Sequence, residues 1–176
     1  MEQDSLKRLL IITGTPGTGK STLAKLLIEQ LGLLHLDLYE LIESDKKLSS
    51  EYNKEKDCYD LDMDKVEELV KLRLEENPGQ VMVLDSHVAH HLSSKIICGA
   101  IIVRCSDLKE LESRLLARNY SANKVKENLD SEIFDVCYDE SLELSVETLT
   151  FDSAGGLDES SVVSLVEEML LSMNLF

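Results

Sequence analysis

Nine consecutive residues, Gly14-Thr15-Pro16-Gly17-Thr18-Gly19-Lys20-Ser21-Thr22, combine three glycines, one amine and four hydroxyls in a fixed order. They spell G-x-x-x-x-G-K-S, the spacing of a phosphate-gripping loop. Phosphates concentrate negative charge, and a loop of small residues lets backbone N–H groups wrap around them. A helix starting near Lys20 adds the positive end of its dipole. Lys20 can then reach the β- and γ-phosphates of a nucleotide, and the Ser21 hydroxyl can ligate Mg²⁺. The bland alternative is a Gly-rich strand–helix turn without ligand. The complete spacing and the Lys-Ser pair favour phosphate.

Four further positions carry matching chemistry. Asp85 ends the apolar run Val81-Met82-Val83-Leu84, where a carboxylate can order Mg²⁺ through its water shell. His87 follows two residues later and could orient an attacking water or a substrate hydroxyl, since imidazole accepts a proton near neutral pH. A histidine simply packed in a loop is the competing reading. Arg114 and Arg118 lie four apart, on one helix face near its C-terminal end. From there Arg118 could fold onto a transferring phosphate, or merely complement the helix dipole.

The elements that must position these groups are legible in the apolar pattern. Leu9–Thr13 reads as a buried strand before the loop, and Lys20–Leu31 as an amphipathic helix with Leu23, Leu26, Leu27 and Leu31 on one face, capped by Gly32. Leu33–Leu38 reads as a second strand and Tyr39–Ser44 as a helical piece. A charge-dense surface insertion spans Asp45 to Asp62. Asp64–Glu76 resumes helical periodicity, with Asp64 and Glu67 as a capping box. Strands follow at Val81–Asp85, Gly99–Arg104 and Val146–Phe151. Helices are expected at Asp107–Arg118, in one long run from Val125 toward Asp139, and after Gly156. Strands without polar interruptions imply cover on both faces. Alternation of strand and helix makes this a doubly wound α/β sheet of the P-loop kind, in a single domain over residues 1–176.

Composition narrows the partners. Of 176 residues, 34 are acidic and 18 basic, giving a net charge of −16. That balance disfavours direct nucleic-acid binding, which depends on clustered Lys and Arg. It fits either a solvated acidic surface or attraction to a basic protein. No apolar run approaches a membrane span or a signal-peptide core, so no membrane association is expected. Cys58, Cys98, Cys105 and Cys137, with His35, His87, His90 and His91, show no zinc-ligand spacing. Reduced thiols and no structural metal are the simpler expectation.

Beyond the loop itself, Asp85-Ser86-His87, Arg118-Asn119-Tyr120, Glu132-Ile133-Phe134-Asp135-Val136 and Tyr138 occur in the order seen in one family. The chain resembles the adenylate kinase isoenzyme six family, also described as a nuclear adenylate kinase, a coilin-interacting ATPase and a small-subunit ribosome assembly factor. The resemblance implies an adenylate-kinase-like five-stranded parallel sheet with helices on both faces. It implies an insertion for the nucleoside monophosphate at about 37–60 and a short lid at about 117–127. Gly17, Gly19, Lys20, Ser21, Thr22 and Arg118 would hold ATP, with Mg²⁺ at Ser21 and, through water, at Asp85. Asp85 and His87 would form the family's modified Walker B motif, and Lys20, Asp85, His87 and Arg118 the catalytic set. Implied partners are ATP, AMP or another nucleoside monophosphate, and a basic small-subunit ribosomal protein. Implied locations are cytoplasm and nucleus, although no basic localisation cluster is visible. One departure stands out. The family has an arginine early in the helix after the second strand; here that stretch reads Glu40-Leu41-Ile42-Glu43-Ser44, and no arginine occurs between Arg8 and Arg73. Lysine supplies charge without the bidentate fork. ATP hydrolysis without transfer to AMP is therefore the alternative activity.

Overall fold

The computed structural model of the chain describes residues 6–44, 49–53 and 58–176. Its centre is a five-stranded sheet in the order β2-β5-β1-β6-β7, formed by β1 (Leu9–Thr13), β2 (Leu34–His35), β5 (Met82–Asp85), β6 (Ile97–Arg104) and β7 (Glu147–Asp152). Every pairing in it is parallel. β1 lies in the middle, buried at all five positions, because both its faces are covered.

The alternation along β1 assigns its side chains to two cores. Leu9 and Ile11 join Met82 and Leu84 beneath α2 (Leu38–Ser44) and α3 (Met63–Glu76), packing with Leu41, Val66, Val70 and Leu74. Leu10 and Ile12 join Val83, Ile101 and Val103 on the opposite face, beneath α1 (Lys20–Leu31) and α7 (Glu159–Ser172). A third cluster, Cys105, Leu111, Leu115 and Val125, seats α4 (Leu108–Ala117) and α5 (Ala122–Ile133) past the end of β6. Helices on both faces of a parallel sheet are the expected architecture.

Four details depart from the sequence reading. The second strand is only Leu34–His35, and α2 already begins at Leu38, since Asp37 turns the chain by accepting Tyr39 N at 2.7 Å. Asp62, not Asp64, caps α3 by accepting Lys65 N, while Glu67 leaves its helix to accept Ser93 N at 2.8 Å. The insertion contains an antiparallel hairpin of β3 (Ser49–Asn53) and β4 (Cys58–Leu61); residues 45–48 and 54–57, with Lys46 and Lys47, lie outside the described residues.

The fourth departure concerns the long helix. It divides at Asp135, whose φ of 54° is left-handed, into α5 and α6 (Val136–Leu142). The apolar period continued through this point, but Ile133 and Phe134 are more than half exposed, so the pattern there did not mark a buried face. Tertiary bonds fix the break instead. Asp135 pairs with Arg104, and the buried Glu132 accepts Cys105 N at 2.7 Å, tying the break to the end of β6.

Candidate active site

The glycines place the loop before any ligand is considered. A Cβ on Gly14 would sit 2.1 Å from the Val103 carbonyl oxygen of β6, at a φ of +141°. Only glycine lets β1 leave the sheet so close to its neighbour. Gly19, at φ 100°, is the N-cap of α1 and supplies no side-chain acceptor; the first turn of α1 holds no acid. The positive helix end is thus left uncompensated by side chains, an arrangement suited to an anion. Gly17 is packed under α4, where a Cβ would meet Leu111 and Leu115 at 3.0 and 3.1 Å.

Lys20 folds back over this loop, its Nζ donating to Gly14 O at 2.7 Å and Thr15 O at 2.9 Å. Burial disfavours its charged form, the nearby Arg118 guanidinium adds to that, and the pKa falls to about 8. Cys137 and the carboxylates of Asp85 and Glu132 oppose the shift. Burial also pushes the Cys137 thiol up, so it is neutral where Lys20 titrates and offsets little there.

Ser21 and Asp85 come together although 64 residues separate them. In the parallel register Ile12 stands beside Asp85, and Ser86 N donates to Ile12 O, so β5 ends alongside the mouth of the loop. Ser21 Oγ donates to Asp85 Oδ2 at 2.6 Å. A hydroxyl and a carboxylate at this separation are hard oxygen donors of the type Mg²⁺ takes. His35 Nε2 holds the other carboxylate oxygen, Oδ1, at 2.9 Å. Sequence reasoning gave His35 no role. Its signal was topological: it ends β2, and β2 pairs with β5.

His87 is an exposed residue just past β5. Crowding by surrounding protein, the Lys20 charge and the neighbouring His90 push its imidazole down to about 4. It is neutral through the physiological range and has a free lone pair to accept a proton. Thr22 is exposed in the first turn of α1, its N–H directed to Gly19 O. Arg118 is exposed as the C-cap of α4, near enough to Lys20 to depress its pKa.

Arg114 behaves differently from Arg118 despite their spacing. Its guanidinium donates to Gly17 O at 3.4 Å, Ser153 Oγ at 3.0 Å and Ser153 O at 3.0 Å, and it pairs with Glu110. One arginine fastens the loop to the segment after β7; the other stays exposed. Also unassigned from sequence is the buried His90, bonded to Thr13 Oγ1 through Nδ1 and to Glu140 through Nε2, both at 2.8 Å.

Comparisons with known proteins place the chain in a family. A family model described as an AAA domain matches residues 10–135. A Caenorhabditis elegans protein named adenylate kinase isoenzyme 6 homolog is 32% identical, covering 76% of this chain and 72% of its own. The Dictyostelium discoideum protein of the same name is 35% identical, covering 74% and 72%. The chain belongs to the adenylate kinase isoenzyme six family. A Methanococcus maripaludis protein named "Putative adenylate kinase" is 35% identical, covering 95% of this chain and 89% of its own. The fold extends to a shikimate kinase from Acinetobacter baumannii, with a TM-score of 0.61, 15% identity and 99% of each chain covered. At that identity the likeness is one of fold alone. Among the described residues no helix is long and apolar enough to cross a membrane.

Proposed function

We propose that this chain transfers the γ-phosphate of Mg-ATP to AMP or another nucleoside monophosphate, with hydrolysis to ADP and phosphate as a second outcome. The observation that carries the reading is the pairing of a helix N-terminus that no side chain caps with Lys20 on one side and the Ser21–Asp85 pair on the other. Family membership supports a phosphotransferase that uses ATP as substrate.

The residues divide the work. Gly17, Gly19, Lys20, Ser21 and Thr22 hold the triphosphate, Lys20 exchanging loop carbonyls for phosphate oxygens. Ser21 directly, and Asp85 through water, would hold Mg²⁺, which when bound neutralises charge on the β- and γ-phosphates. His35 keeps the Asp85 carboxylate aimed. Arg118, on a lid taken as 117–127, closes onto the moving phosphoryl group, where a cation stabilises charge spreading over its oxygens. The acceptor insertion is taken as 37–60.

Acceptor chemistry distinguishes the two outcomes. The phosphate of a nucleoside monophosphate is already ionised and needs no base. Water does: as its oxygen bonds to the γ-phosphorus and the bond to the ADP oxygen breaks, a proton must leave, and neutral His87 can take it. Hydrolysis is also favoured by the groove of about 220 Å³ under α2, lined by Asp37, Glu40 and Arg73. Its one guanidinium is already paired with Glu76, and two carboxylates repel a phosphate. The family resemblance and the charge of −16 support a third element: action in small ribosomal subunit assembly and rRNA maturation, through a basic small-subunit ribosomal protein, in cytoplasm and nucleus.

Purified chain with Mg-ATP, with and without AMP, tests the reading. Two ADP formed per ATP consumed, only when AMP is present, establishes transfer. Phosphate release without AMP, quickened by the ribosomal protein, establishes the hydrolytic assembly factor. Full activity in Lys20→Ala would overturn the site.

A further inference from the structure

His90, His91 and Glu140, none of them part of the Ser21–Asp85 pair, offer ligand atoms that all lie within 4.8 Å of one another. The two imidazoles sit side by side on a 3₁₀ turn (Ala89–His91), ring centres 4.2 Å apart; the carboxylate comes from α6, 49 or more residues away. We propose that these three side chains form a binding site for a divalent transition ion of the zinc type, clamping α6 to the turn that follows β5.

Four observations carry this. The His90 side chain is only 2% exposed, and Thr13 Oγ1 fixes its Nδ1 at 2.8 Å, so Nε2 points in a defined direction. A hydroxyl can donate or accept, so the same bond holds the ring in either tautomer. Orientation of one ring nitrogen by a neighbour while the other meets a ligand is the usual support around a metal-bound histidine. Nε2 already faces Glu140 Oε2 at 2.8 Å, beside the separation of about 3.3 Å that ligands on one tetrahedral zinc adopt.

His91 and Glu140 are exposed, which gives an ion and its remaining waters a path in. All three ligand atoms already lie within 4.8 Å of one another, so coordination requires these two exposed side chains to turn inward. Two imidazoles with one carboxylate suit zinc, and imidazole is a poor ligand for the Mg²⁺ that the phosphate site takes.

The placement gives the ion a consequence. The turn begins two residues after His87, and α6 carries Cys137, whose thiol lies within electrostatic range of Lys20. An ion here joins the segment behind the catalytic histidine to the helix behind the phosphate-binding lysine. It stabilises the chain by binding the folded form only.

Chelator-treated full-length chain is titrated with Zn²⁺ by calorimetry in excess Mg²⁺, and with Co²⁺ by visible absorption. Saturation at about one equivalent, with the strong absorption of low-symmetry Co²⁺ and a raised Tm reversed by EDTA, is expected. His91→Ala and Glu140→Gln, both at exposed positions, should each weaken Zn²⁺ about tenfold or more while leaving Mg-ATP affinity unchanged. Absence of saturable Zn²⁺ binding at micromolar concentration overturns the proposal. Binding that is equally tight in both variants also overturns it, because the ion then resides elsewhere, at thiols or at His35.

Discussion

Before nucleotide binds, Lys20 has a pKa of about 8, and this single shift makes ATP affinity depend on pH in a way an ordinary lysine would not. The triphosphate binds the ammonium form and stabilises it, so the free chain must be protonated, or become protonated, on binding. The protonated fraction falls from about 90% at pH 7 to about 10% at pH 9 for a pKa near 8. Affinity for a non-hydrolysable Mg-ATP analogue should therefore drop about tenfold across that interval. A lysine at its ordinary value would lose less than about 5% over the same range. Calorimetry at pH 8.5 in two buffers of different ionisation heat should register uptake of about three quarters of a proton. Lys20→Arg, which stays protonated throughout, should flatten the profile. Arg118→Gln should move the midpoint upward, since Arg118 contributes to the depression. A flat affinity between pH 7 and 9 in the unaltered chain, or the same slope in Lys20→Arg, would refute the reasoning.

Other consequences follow from neighbouring contacts. His87→Ala should slow ATP hydrolysis by about 10²-fold while nucleotide affinity moves far less; equal losses in both would remove its role as base. Because protonation of His87 is pushed down to about 4, the hydrolysis rate should show no loss as pH falls through 6.5, and decline only as it approaches 4. Gly14→Ala would drive a Cβ into the Val103 carbonyl and should destabilise the chain by about 2 kcal/mol or more, lowering Tm by about 4–8 °C; an unchanged melting curve would show the loop has other room. Glu132→Ala should cost about 1–3 kcal/mol in urea unfolding by orphaning the Cys105 N–H, and Glu132→Gln, which keeps an acceptor, should cost less.

Why some of this was legible and some was not can be traced to particular residues. Leu9–Thr13 followed by the glycine-spaced loop and Lys20-Ser21 identified a phosphate cradle, because the chemistry lies within nine contiguous positions. Asp85 was legible because an acid at the end of an apolar run can point only past the strand. The split at Asp135 was not, since its left-handed turn is held by Arg104 and by Glu132 on Cys105, partners about 30 residues away. The different fates of Arg114 and Arg118 were hidden for the same reason. Spacing puts both on one helix face, but only Arg114 meets Ser153 and Gly17.

By itself, the sequence determined the alternation of strand and helix, the two-sided burial of the sheet and the loop that grips phosphate, all of which arise from neighbours within one or two turns of chain. Tertiary structure alone decided strand order, and with it the meeting of Ser21, Asp85 and His35, and of His90, His91, Glu140 and Thr13. The physical reason is that side-chain polar contacts extend about 3 Å. Which groups come that close depends on how β1, β5 and α6 pack, and no local spacing records it.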